Sequence, residues 1–257
     1  MSVLDSTPDS VSSISAKTKT VALVGNPNSG KSTLFNRLTG VRQKAANYPG
    51  VTVEKKYGTM LIDGQAVTAI DLPGAYTLAA ASADERIVVD VLTGHAGMGR
   101  PDVAVCVTDA TNLMRHLFLA AQVADTGVPL VIAVNMIDAA HEKGIAIDVN
   151  LLSERLGVPV VAMSASKNRG IDDLKQAIGD ALNNRPLLKS VEWPETISNA
   201  IEYLRNAIPT EEAEKLTLAE LQRILFDHDS AVADRVGWSA AQRAQHVERV
   251  HHDLREK

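Results

Sequence analysis

Eight consecutive residues constrain this chain more than any other feature. Gly25-Asn26-Pro27-Asn28-Ser29-Gly30-Lys31-Ser32 fits the pattern G-x-x-x-x-G-K-[ST]. It lies between an apolar run, Val21-Ala22-Leu23-Val24, and a helix-forming segment, Thr33-Leu34-Phe35-Asn36-Arg37-Leu38. A strand, a glycine-rich loop and a helix in that order make a cradle for a diphosphate. The glycines let backbone N–H groups wrap the anion, and the helix adds its positive N-terminus. Lys31 is placed to supply a point charge to the β- and γ-phosphates, and the Ser32 hydroxyl to ligate Mg²⁺. The loop alone leaves adenine and guanine both open.

The rest of the chain can build a fold around this loop. It has 257 residues, room for one large domain, or a medium one with a small appendage, at about 150 residues per domain. Hydrophobic residues make up 45%, enough for a core, so wholesale disorder is excluded. A net charge of −5 and an aromatic content of 4% speak against nucleic acid as a partner, which needs a basic footprint and stacking platforms. The single cysteine, Cys106, sits in the apolar run Val103–Val107. It forms no disulfide framework or thiolate metal site, and cytosolic exposure is the natural setting. No run reaches 18 apolar residues and no signal peptide is seen, so no membrane span is expected in these residues.

Residues 1–18 are rich in Ser and Thr without apolar periodicity and read as a disordered N-terminal tail. From Thr20, strand candidates (20–24, 53–61, 66–71, 102–109, 129–135, 158–163) alternate with helical patterns (31–39, 84–94, 113–125, 148–156, 171–182). This predicts an α/β fold with a mostly parallel six-stranded sheet flanked by helices. Asp63-Gly64 marks a hairpin between the second and third strands. Beyond Gly179 only Gly237 remains of the chain's glycines. Ile197, Ile201, Leu204 and Ile208 form one helical stripe. Thr217–Glu220 and Ser239–Gln242 read as capping boxes that open two further helices. The expected division is a nucleotide-binding domain over 19–184 and a small all-α domain over 185–257.

Asn135-Met136-Ile137-Asp138 follows the apolar run ending at Val134. A carboxylate accepts the two N–H groups of guanine's N1/N2 edge, and adenine offers no such pair. A neighbouring Asn amide can bond N7 and tie loops together. Ser164-Ala165-Ser166 follows Val158–Met163, where a backbone N–H can reach guanine O6. Both segments lie at the carboxyl ends of strands, where open α/β sheets bind ligands. Asp71-Leu72-Pro73-Gly74 places an Asp at a strand end for Mg²⁺ and a Gly whose N–H can approach the γ-phosphate. Between the loop and Asp71, Thr52 sits in the turn-prone stretch Asn47–Thr52, placed to close on Mg²⁺ and γ-phosphate and to open after hydrolysis.

In this order the segments resemble the TRAFAC-class G proteins, over residues 19–183. The stretches Gly25–Asn36, Asn47–Glu54, Asp71–Tyr76 and Asp109–Leu113, with Met136 where most G proteins carry Lys, look like FeoB, the ferrous-iron transport protein B of prokaryotes. The resemblance implies a Ras-like P-loop G domain followed by a helical domain similar to a guanine-nucleotide dissociation inhibitor. It further implies that the chain is the soluble N-terminal region of a longer protein at the cytoplasmic side of the bacterial inner membrane. Its partners would be guanine nucleotide and a membrane-embedded Fe²⁺ permease domain of the same full-length chain. The nucleotide contacts so implied are Asn26, Asn28, Ser29, Gly30, Lys31, Ser32 and Thr33, then Thr52, Gly74, Asn135, Met136, Asp138, Ser164, Ala165 and Ser166. Ser32, Thr52 and Asp71 would hold Mg²⁺.

Position 75 is Ala where Ras-like proteins carry the Gln that orients water. Slow GTP hydrolysis to GDP is therefore expected, with Lys31, Thr52, Gly74 and Asn28 as the catalytic set. Asn28 sits where cation-activated relatives carry a K⁺ ligand, which makes K⁺ an expected cofactor; the alternative is a loop-shaping Asn. Asp84 and Glu85 read as first-turn helix residues, and the histidines of the tail, His228, His246, His251 and His252, as solvated helix surface. The alternatives are a soluble ribosome-assembly or tRNA-modifying GTPase, against which Met136 and the acidic charge speak, and a nucleotide sensor without significant hydrolysis.

Overall fold

The computed structural model describes residues 18–40, 43–47, 54–79, 82–96, 99–186, 194–214, 216, 218–226 and 236–255. The N-terminal tail, Thr52, Thr217 and His228 lie outside the described residues.

Strands β1 (Thr20–Gly25), β2 (Gln43–Asn47), β3 (Glu54–Ile62), β4 (Gln65–Asp71), β5 (Val103–Asp109), β6 (Leu130–Asn135) and β7 (Val160–Ala162) form one sheet in the order β2-β3-β4-β1-β5-β6-β7. β4, β1, β5, β6 and β7 run parallel, while β3 is antiparallel to both β4 and β2. Helices α1 (Lys31–Thr39), α2 (Ala83–Thr93), α3 (Leu113–Asp125), α4 (Ile137–Glu142), α5 (Val149–Leu156) and α6 (Ile171–Asn184) follow in turn. α7 (Glu195–Ala207), α8 (Thr210–Ala213), α9 (Leu218–Phe226) and α10 (Ala240–Arg255) complete the chain. Among the described residues, no helix is long and apolar enough to cross a membrane.

The sheet has seven strands, one more than periodicity predicts. The addition, β2, reads Gln-Lys-Ala-Ala-Asn and pairs along β3 from Gln43↔Gly58 to Asn47↔Glu54. Its side chains from Lys44 to Asn47 are exposed, so it is a strand by backbone pairing at an edge and not by burial. The hairpin signal at Asp63-Gly64 closes β3 onto β4 with Ile62 opposite Gln65. Both turn residues have positive φ, 48° and 76°, the condition of a two-residue turn that matches the strand twist.

Alternation along β1 divides the core in two. Ala22 and Val24 face a layer with Val88, Leu92, Leu119, Val123 and Ile132, under α2 and α3. Val21 and Leu23 face the other side, with Leu34, Phe35, Leu174 and Ile178 of α1 and α6. Leu204, Leu221, Ile224, Leu225 and Val250 of α7, α9 and α10, with Trp238 from just before α10, make a third cluster. Ile201, Leu204 and Ile208 of the predicted stripe are buried in it, and Ile197 packs at its rim. Between the sheet region and this cluster, His95 Nε2 lies 3.1 Å from Oε1 of Glu220, whose side chain is 1% exposed.

Cys106 is fully buried in the first layer. Burial disfavours the thiolate and pushes its pKa up to about 12. A thiol-specific reagent such as Ellman's is expected to label it only after the chain is unfolded. Stoichiometric labelling of the native protein would contradict this packing.

Candidate functional site

The site forms where the parallel strands end. β1 finishes at Gly25, and α1 starts at Lys31 with Gly30 as the residue before its first turn. Gly30 has φ 84°, and a Cβ there would stand 2.2 Å from Nδ2 of Asn135. Asn28 also takes a left-handed backbone, φ 66°, a conformation Asn tolerates, and its side chain is exposed. That conformation is compatible with a loop-shaping Asn and with one that offers its amide outward. Asn26 Oδ1 and Ser29 Oγ are buried with no hydrogen-bond partner among the described residues. Such orphaned polar atoms call for a partner. Inside a loop of glycines and N–H groups, the Ser29 hydroxyl can donate to an anionic ligand, whereas Asn26 Oδ1 only accepts and calls for a donor.

Lys31 is only 8% exposed and Asp71 7%. Lys31 Nζ donates to Asp71 Oδ1 at 2.5 Å and to the carbonyl of Leu72. Ser32 Oγ donates to Asp71 Oδ2 at 3.2 Å. One hydroxyl and one carboxylate, both hard oxygen donors, thus stand together at the end of β4, a donor set that suits Mg²⁺. Thr33 is exposed in the same first turn of α1. The segment after Asp71 is tied back along β1: Leu72 N–H donates to Leu23 O at 3.1 Å and Ala75 N–H to Gly25 O at 3.2 Å. A Cβ on Gly74 would meet Pro27 of the phosphate loop at 3.1 to 3.3 Å, so the two segments pack directly.

At the far end of the cleft, Asn135 joins two loops. Its Nδ2 donates to Ser29 O at 2.8 Å, and its Oδ1 accepts from the Ala165 N–H at 2.9 Å. Met136, with φ 60°, turns the chain into α4 and so places Asp138 in that helix's first turn. Lys167 Nζ lies 2.7 Å from Asp138 Oδ2. Its ammonium, with the Ser164 hydroxyl second, holds the Asp138 carboxyl below the usual carboxylate range. Ser164 and Arg169 pair across a short antiparallel bridge that closes the loop, and Ser164 Oγ and Ser166 Oγ are 3.3 Å apart. On its outer side Arg37 donates from Nε to Ala165 O at 3.2 Å and from Nη2 to Ser166 O at 3.1 Å.

Of the candidate residues, all but Thr52 are described; hydrogen bonds join Lys31 and Ser32 to Asp71, and Ser29 through Asn135 to Ala165. Lys167 and Arg37 were missed by sequence reasoning. Lys167 had a local signal, since it directly follows Ser164-Ala165-Ser166. Arg37 had none, because its contacts lie 128 and 129 residues away. Glu85 N–H donates to the cap residue Ser82, in line with a first-turn role. His246 corrects the reading of the tail histidines as solvated surface. It bonds Tyr203 Oη through Nδ1 at 3.0 Å and stacks on Trp238 with ring centroids 4.7 Å apart. Among the described residues, no three His, Cys, Asp or Glu side chains could hold a metal together.

Residues 19–178 match the family Ferrous iron transport protein B. The chain belongs to the FeoB family. Fe(2+) transporter FeoB of Salmonella typhimurium is 40% identical over 195 residues, 76% of this chain and 25% of that protein. The Escherichia coli Fe(2+) transporter FeoB is 38% identical over the same length and shares. The chain thus spans about a quarter of the length of these FeoB relatives. Among solved structures, an S. thermophilus NFeoB mutant bound to GDP superposes with a TM-score of 0.75 at 37% identity, covering 90% of this chain and 88% of that one. The cytosolic domain of T. maritima FeoB in a GDP form gives a TM-score of 0.75 at 30% identity, covering 93% and 97%. The α/β Ras-like fold expected for FeoB is therefore the fold of this chain.

Proposed function

We propose that this chain is the GTP-binding switch region of a ferrous-iron transporter, and that it hydrolyses GTP slowly to GDP and phosphate. The observation that carries the reading is the Asn135 link, which sets the phosphate loop, Asp138 and the Ser164–Ser166 loop around one cleft. Supporting it are the GDP-bound state of FeoB relatives and the Fe(2+) transport for which the relatives are named. In this reading residues 19–184 form the G domain and 185–257 a helical domain of dissociation-inhibitor type. Nucleotide state would pass to a membrane permease domain at the cytoplasmic side of the inner membrane.

The guanine N1/N2 edge is read by the Asp138 carboxylate, with N7 at Asn135 and O6 toward the Ser164–Ser166 amides. Met136, Asn26, Ser29, Gly30 and Thr33 line the nucleotide. Lys31 leaves part of its bonding to Asp71 to serve the phosphates. Ser32, Asp71 and Thr52 would hold Mg²⁺, which supplies charge neutralisation between β- and γ-phosphates. Thr52 closes on the γ-phosphate and Gly74 presents its N–H there. Asn28 offers an amide oxygen for K⁺, a second source of positive charge at the bond that breaks.

No side chain of residue 75 can orient water, because Ala75 is 1% exposed and faces the core. Ala75→Gln is therefore expected to overpack, by about 1–3 kcal/mol, and to leave turnover no faster. A thermal melt with a hydrolysis assay checks this, and a several-fold gain in rate would overturn it.

Steady-state hydrolysis of GTP with Mg²⁺, compared in KCl and NaCl at equal ionic strength with ATP as control, tests the whole reading. K⁺-stimulated turnover confined to GTP is the expected result, and preference for ATP would refute it. Asn28→Ala is expected to abolish K⁺ stimulation and spare GDP affinity. Equal stimulation in that variant would return Asn28 to its role in shaping the loop.

A further inference from the structure

We propose that Arg37 is a positioning residue for the guanine-binding loop and that it sets the lifetime of the bound nucleotide. The inference rests on the reading of the cleft as a guanine-nucleotide site. The loop from Ser164 to Arg169 is closed on itself by one antiparallel bridge. Lys167 ties it to Asp138 of α4, and the backbone of Ala165 ties it to two further elements. Its N–H is held by Asn135 Oδ1 from β6, and its carbonyl by Arg37 Nε from α1. Arg37 Nη2 takes the next carbonyl, that of Ser166.

Two donors of one planar guanidinium thus grip two consecutive carbonyls. This fork contact fixes a direction as well as a distance, and the point charge of a lysine cannot reproduce it. Arg37 lies in the last turn of α1, the helix that Lys31 begins. The helix that Lys31 begins therefore carries at its far end a further hold on this loop, from α1 where Asn135 reaches it from β6. Release of a nucleotide requires the loop to move away from the base. A loop that loses one of these holds moves more easily.

Arg37→Ala is expected to speed release of N-methylanthraniloyl-GDP, chased with excess GDP, by about tenfold, the scale of one or two surface-exposed hydrogen bonds with a charged donor. Arg37→Lys is expected to fall between wild type and Ala. The rate constant for hydrolysis in a single turnover at saturating GTP is expected to stay within about twofold, because the hydrogen bonds of Arg37 go to the base-side loop. A merely structural role would lower that constant together with binding and would be rescued by Lys.

Release within twofold of wild type in both variants overturns the proposal, as does full rescue by Lys. If Arg37→Ala does not fold, the Lys variant alone decides by the same criterion. Wild-type protein that fails to bind the fluorescent GDP refutes the nucleotide reading instead, so the two failures are told apart.

Discussion

Asp138→Asn is expected to lower affinity for GDP and GTP by about two to three orders of magnitude and to create affinity for xanthosine nucleotides. Guanine presents two adjacent donors, and a carboxylate accepts both. An amide keeps one acceptor and turns a donor toward the other N–H, leaving a buried donor unpaired. Each such loss costs about 1–3 kcal/mol, and sites built on hydrogen bonds reject mismatched ligands strongly for this reason. Xanthine has a carbonyl where guanine has its amino group, so the amide donor meets an acceptor again. Titrating fluorescent GDP and XDP into both proteins reads the exchange directly. Unchanged GDP affinity in the variant would remove Asp138 from the base site.

The same carboxylate carries a pH prediction. Lys167 holds the Asp138 carboxyl below the usual range. A lowered pKa keeps the anion present at every pH above the ordinary value of about 3.9 and for some distance below it. Guanine affinity is therefore expected to stay level between about pH 5 and pH 8, as far as Asp138 decides it. Titration at three pH values checks this, and a loss of affinity already at pH 5.5 would contradict it.

The second large effect belongs to Gly30→Ala, which is expected to abolish measurable nucleotide binding. The added Cβ would stand 2.2 Å from Asn135 Nδ2, in a backbone with φ 84°. The left-handed conformation alone costs a residue with a Cβ about 1–2 kcal/mol. The collision adds the loss of the buried bond from Asn135 to Ser29 O, worth a further 1–3 kcal/mol or so. The phosphate loop and the base loop then lose the side chain that joins them. Gly64→Ala is the control. Gly64 also has positive φ, 76°, but a Cβ there meets nothing within 4 Å. It is expected to cost only the conformational penalty and to leave GDP titrations unchanged. Wild-type affinity in Gly30→Ala would show that the two loops do not depend on each other.

Much of this arrangement was legible in the chain. Elements with strong periodicity, such as Val103–Asp109 or the stripe from Ile197 to Ile208, declared themselves because burial selected their residues. The short motifs were legible because each function demands a particular residue at a particular spacing. What escaped was whatever neither burial nor spacing selects. β2 is polar and exposed, so its strand character lies in backbone pairing that leaves no side-chain pattern. The grip of Arg37 on Ala165 and Ser166 joins residues brought together only by the sheet order. His246 looked solvated because one helix's pattern cannot show that Tyr203 of α7 and Trp238, from the turn before its own helix, will pack on it.

Asn135 has a consequence beyond its two bonds. One side chain holds Ser29 at one end and Ala165 at the other, so on the proposed reading the halves of the nucleotide cooperate. Whatever factor the diphosphate contributes to the grip on the base, the base returns to the diphosphate, since such coupling is reciprocal. Guanosine alone, or pyrophosphate alone, must bear the ordering of both loops for half the contacts. Joined in one molecule, they bear it once. On the proposed reading, a cleft coupled in this way favours the intact nucleotide over the separate nucleoside and phosphates.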